Sequence, residues 1–144
     1  MLIGSYSAVL SDSRRIAVPK KFLTELGSNP VLAKWYEDCL ILVSNDFWSN
    51  LSTRLVGERK LADMGLRDIE RFILGSAYEL EPDEQGRIIV PEVLAGYAKL
   101  EKDTIFIGLM DRVELWPKAT WDEKTSDLAK TTKEYIERLS KNEK

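Results

Sequence analysis

The sequence predicts an α+β fold: two tandem β-rich repeats in a pseudo-two-fold frame, with short helices between them and a long helix at the C-terminal end. Three observations predict it. Residues 10–22 recur as residues 82–94, so that Arg15, Ile16, Val18 and Pro19 return 72 positions later as Arg87, Ile88, Val90 and Pro91. Each copy is set among short alternating or β-branched runs separated by turn residues. Beyond the second copy, Trp121, Thr125, Leu128, Thr132, Tyr135 and Leu139 fall at alternating spacings of four and three, the signature of one face of a helix. The expected organisation is a first repeat over 5–47, a helical connection over 48–75, a second repeat over 76–119, and a C-terminal helix and tail over 120–144. Units of about 70 residues bury only about 60% of their unfolded surface, so each gains from packing on its twin or on another chain.

Taken in order, residues 5–10 alternate with Tyr6, Ala8 and Leu10 on one face and read as a half-buried strand. Residues 11–14 form its turn, 16–18 a β-branched return strand, and Pro19 the start of a short helix over 20–26, where its missing N–H is not needed. Gly27 suits the left-handed end of that helix. Residues 31–34 and 39–44 read as a hairpin across 35–38, and Ser44, Asn45 and Asp46 offer N-caps for a helix running to about Val56. Gly57, Glu58, Arg59 and Lys60 mark the middle of the chain, before a helix over 66–74 with Ile69, Phe72 and Ile73 on one face. The second repeat follows the same plan: a strand over 77–81, a turn over 83–86, a strand over 88–90, a helix from Pro91 to about Ala98, and a hairpin of 104–109 with 113–116. From Leu32 onward the offset becomes 73, one inserted residue of the kind a loop absorbs. The last helix, with two threonines among its six stripe positions, reads as one lying on its own domain or a neighbour rather than as a free coiled coil.

Composition removes several function classes. The chain has no histidine, the commonest general base and metal ligand. Its one cysteine, Cys39, lies in an expected buried strand and reads as core, and one cysteine suits a reducing cytoplasm. No phosphate-cradling glycine motif, signal peptide or membrane-length apolar run occurs, and Asn50-Leu51-Ser52 reads as a chance sequon. The four tryptophans read as core, and the acids at 79, 81, 83 and 84 as a solvated face rather than a calcium loop. Net charge is −3, yet residues 1–22 carry Arg14, Arg15, Lys20 and Lys21 against Asp12 alone. Charge distribution bears on nucleic-acid binding more than the sum does.

The pattern with chemistry in it is strand, charged turn, strand, proline. In the second copy it reads Asp83-x-x-Gly86-Arg87, where Asp83 can pair with Arg87 and Gly86 permits the positive φ such a turn requires. A single such turn does no more than lock itself. Two of them, related by a pseudo-two-fold and each ending in arginine, can address phosphates or base edges at regular spacing, with a planar fork suited to both. Lys20 and Lys21 stand at a helix start, where free N–H groups favour an anion.

Three segments, residues 15–22, 83–91 and 108–116, carry a resemblance to the MraZ family of bacterial transcriptional regulators, built from two SpoVT/AbrB-like repeats. The resemblance covers residues 2–118 and implies a barrel-like core, ring-shaped homo-oligomers, and binding to direct repeats in double-stranded DNA upstream of the protein's own operon in the division and cell-wall cluster. The first copy departs from the pattern, with Ser11 in place of the aspartate and Arg14 in place of the glycine. Two readings compete: the turn takes a different conformation, because positive φ is costly for Arg14, or it leaves two unpaired arginines facing DNA. The second is favoured, since both changes make the surface more positive.

The expected function is that of a sequence-specific DNA-binding regulator, acting as a repressor in the cytoplasm and nucleoid, with no catalysis, metal or cofactor. Arg14, Arg15, Lys20 and Lys21 carry most DNA contacts, Arg87 contributes or is tied to Asp83, and Asp83 and Gly86 stabilise the second turn. DNA is expected against the N-terminal unit. The alternative is an oligomeric protein-interaction scaffold whose basic turns serve subunit contacts.

Overall fold

The computed structural model describes residues 1–55 and 64–142; the expected helix end at Val56 and the charged segment from Gly57 to Lys60 lie outside them. Among the described residues the elements are β1 (Ile3–Val9), β2 (Arg15–Ala17), α1 (Lys20–Leu26), β3 (Val31–Trp35), β4 (Cys39–Val43), α2 (Asn45–Leu55), α3 (Met64–Ile73), β5 (Tyr78–Glu79), β6 (Arg87–Ile89), α4 (Glu92–Tyr97), β7 (Asp103–Leu109), β8 (Val113–Pro117) and α5 (Lys118–Asn142). The fold is α+β.

Six strands form one antiparallel sheet in the order β1-β7-β8-β4-β3-β5, and β2 pairs with β6 as a separate ribbon. The order is unchanged when the repeats are exchanged, which is the pseudo-two-fold expected from the sequence. The two repeats interlock: β1 pairs with β7 of the second repeat, β5 with β3 of the first, and β4 with β8 at the centre.

β5 is shorter than its alternating pattern suggests. The Leu80 amide still donates in register to the Pro30 carbonyl at 2.8 Å, but Pro30 has no N–H to return and Pro82 has none to give, so the ladder stops there.

The strand alternation sorts side chains into three layers. One face of the sheet, with Leu32, Leu40, Leu42, Phe106 and Leu115, meets Ile16 and Ile88 from the ribbon and Phe22 and Leu94 from α1 and α4. Each such fully buried side chain contributes roughly 1.5–3 kcal/mol. The other face packs Val31, Ala33, Ile41 and Val43 against Phe47 and Trp48 of α2, and Ile105, Ile107 and Trp116 against Trp121 of α5. Cys39 is buried there too, its thiol bonded to the Tyr36 carbonyl at 3.2 Å, and burial pushes its pKa strongly up.

Ser44 caps α2, its hydroxyl accepting the Phe47 amide at 3.1 Å. α1 follows Pro19, whose carbonyl accepts the Phe22 and Leu23 amides, and ends at Gly27 with φ 83°. α5 runs three residues past the stripe read from the sequence. Lys124 reaches Glu37 at 2.8 Å, whereas residues 129–142 are all exposed. No helix among the described residues is long and apolar enough to cross a membrane.

A candidate nucleic-acid interface

The site is built on the β2–β6 ribbon and the turns that lead into it. Ile16 faces Ile88 across the ribbon, each 1% exposed, so the alternation places Arg15, Ala17, Arg87 and Ile89 together on the outer face. With Arg15 opposite Ile89 and Ala17 opposite Arg87, the two arginines occupy diagonal positions of that face.

The turns are superimposable in their bonding. In the second, the Asp83 amide donates to the Arg87 carbonyl and the Gly86 amide to the Asp83 carbonyl, both at 2.9 Å. In the first, Ser11, Arg15 and Arg14 repeat both bonds at 2.9 Å. Gly86 has φ 76° and Arg14 φ 63°, so Arg14 adopts the left-handed backbone in place of glycine and the turn keeps its shape. Ser11 replaces only part of the aspartate. Its hydroxyl accepts the Arg15 amide at 3.0 Å, as Asp83 Oδ1 accepts the Arg87 amide at 2.9 Å, but Asp83 also takes the Gln85 amide and, through Oδ2, Arg87 Nε at 2.9 Å. These bonds, the Arg87 amide foremost, hold the Asp83 carboxyl below the usual carboxylate range.

The arginines therefore have different freedoms. Arg87 is tied to Asp83. Arg14 is not one of a free pair: its Nε donates to the Val90 carbonyl at 3.0 Å. Arg15 is exposed, and no hydrogen bond or ion pair reaches its guanidinium among the described residues; Asp12 does not pair with it. Arg15 and Arg87 share a cleft of about 300 Å³ with Glu79, Glu81 and Asp83, so three of the acids read as a solvated face line the same cleft as Arg15.

A Cβ on Gly86 would lie 2.7 Å from Leu23 Cδ1, so α1 packs on the second turn. Symmetrically, Arg14 of the first turn lines a cleft with Glu92 and Ala95 of α4. Ala95 is the repeat partner of Leu23, and its small side chain stands where Leu23 would crowd a Cβ. Lys20 is the first residue of α1, and its partner position Glu92 lines the cleft with Arg14. Lys20 and Lys21 are exposed, with Lys21 Nζ 5.6 Å from the Tyr6 ring centre. Sequence reasoning also missed Lys99 and Lys102, which line the Arg14 cleft from the second repeat. Their signal was the non-glycine at position 99 where the first repeat has Gly27.

A family model described as "MraZ protein, putative antitoxin-like" matches residues 73–141. Curated relatives named Transcriptional regulator MraZ match almost end to end. That of Caldanaerobacter subterraneus is 40% identical over 139 residues, 96% of each chain; that of Thermoanaerobacter sp. is 39% identical over the same share, and that of Acetivibrio thermocellus 35% over 97% of each. At this identity and coverage, with both turn motifs inside the aligned length, the chain belongs to the MraZ family.

Proposed function

We propose that this protein is a sequence-specific DNA-binding transcriptional regulator that represses its own operon in the division and cell-wall cluster by binding direct repeats upstream of it, acting in the cytoplasm on the nucleoid as a ring-shaped homo-oligomer. The observation that carries the reading is the outer face of the β2–β6 ribbon, where two symmetry-related arginines stand on diagonal positions and one of them, Arg15, has no hydrogen-bond or ion-pair partner among the described residues. An exposed guanidinium without a partner among the described residues, on a two-stranded ribbon, is suited to a phosphate or a guanine edge, and a ribbon is narrow enough for the major groove. Relatives carrying the regulator name support the same reading.

A net charge of −3 does not oppose it. Each subunit needs to neutralise only a few phosphates when several subunits act on repeated sites. The test is a gel shift with the upstream region of the protein's own operon at low and high salt. Binding that weakens steeply with salt, prefers the direct repeats and fails in Arg15→Ala supports the reading. Absence of any sequence-dependent shift overturns it in favour of a protein-interaction scaffold. Assembly mutants that leave the basic residues intact are expected to lose specific binding as well.

A further inference from the structure

We propose that the open cleft between the first turn and the α4–β7 connection is a second contact surface for the DNA backbone, with Lys99 and Lys102 its cations beside Arg14; this extends, and rests on, the regulator reading above. The cleft measures about 540 Å³. Two of the residues lining it hold the left-handed backbone without being glycine, Arg14 at φ 63° and Lys99 at φ 55°. At both positions the other repeat has glycine, Gly86 with φ 76° and Gly27 with φ 83°. Among the described residues Glu37, Asp38 and Met110 also hold a positive φ without being glycine, and none of them lines the cleft. Arg14 and Lys99 differ from these in having glycine as their repeat partner, so each carries a disfavoured side chain where the other repeat carries none. Both are basic and both open on the same cleft.

Lys102 adds a third cation at a fixed place, because its carbonyl accepts the Leu10 amide at 2.8 Å and so ties the connection to the chain entering the first turn. Lys99 and Lys102 are exposed and have no ion-pair partner among the described residues. Asp12, Glu92 and Glu101 line the cleft too, yet none of them pairs with the three cations. The repeat partners of the two lysines are Gly27 and Pro30, so this surface exists on one side of the pseudo-two-fold only. It would let DNA held at Arg15 continue over the second repeat, and so fix one orientation of an otherwise symmetric ribbon.

The full-length protein is tested with the duplex upstream of its own operon, by titrating binding against salt and by thermal melting. Lys99→Gly removes the strain and the charge together. It should melt higher than the parent and yet bind roughly five- to tenfold more weakly near ~0.1 M salt, with a slope of log K against log salt shallower by about 0.9. Lys102→Gln should weaken binding similarly at unchanged melting temperature. If the parent binds and Arg15→Ala abolishes binding, but both lysine variants keep parental affinity and slope, the cleft is no contact and this inference falls while the regulator reading stands. If the parent shows no salt-dependent binding at all, both fall.

Discussion

Gly86 lies against Leu23 so closely that a single added carbon would sit 2.7 Å from its Cδ1, while the equivalent Arg14 opens on Ala95. One glycine–leucine pair and one arginine–alanine pair are alternative solutions of the same packing problem. Gly86→Ala is expected to destabilise the protein by about 1–3 kcal/mol, through left-handed strain and overpacking together. Adding Leu23→Ala should recover part of that loss, a coupling of roughly 0.5–3 kcal/mol that a double-mutant cycle by chemical denaturation measures.

Arg15 and Arg87 share a face but not a function. Charge reversal in Arg15→Glu is expected to abolish operator binding with little change in melting temperature, since the side chain is exposed and makes no hydrogen bond or ion pair among the described residues. Arg87→Glu faces Asp83 and should disturb its turn while costing less binding. Equal losses of affinity from the two reversals, read by gel shift, would sink the proposed asymmetry.

Acid should loosen the second turn before the first. The Asp83 carboxyl has its folded pKa depressed, so its contribution is complete above the ordinary carboxylate value of about 3.9 and is lost as pH falls through the lower folded value. Ser11 has no such titration. Asp83→Ser should therefore flatten the acid limb of the stability curve, measured by denaturation between about pH 5 and pH 2.

Gly108 is required by its neighbour rather than by its own backbone. A Cβ there would meet Ile3 N and Leu2 C at 2.6 Å, atoms of the paired strand that cannot rotate aside. Gly108→Ala is expected to cost about 1–3 kcal/mol or more and to free β1, seen as faster amide exchange from Ile3 to Val9.

The fold was legible where local chemistry decides. The repeat, the prolines before α1 and α4, the Ser44 cap and the two hairpins all follow from residues within a few positions of one another. Two things were not legible. Arg14 holds a glycine's backbone and opens on a cleft it shares with Ala95, 81 positions away. Arg15 shares a cleft with Glu79 and Glu81 because the repeats exchange strands. Spacing along the chain describes a repeat as a unit, whereas these contacts exist only between units. Charge counted along residues 1–22 was therefore a poor guide to the charge of any one surface.

The pairing of β1 with β7 has a consequence for synthesis. Ile3 finds its partner only at Leu109, about a hundred residues later. At about 5–20 residues per second, β1 is without this ladder for roughly 5–20 s while the rest of the sheet emerges. Its residues suit such a wait: Gly4, Ser5 and Ser7 interrupt the apolar positions and offer a stray strand little to adhere to. A nascent chain halted before β7 would therefore present an unfinished sheet, and truncation within the second repeat should yield insoluble protein rather than a working half.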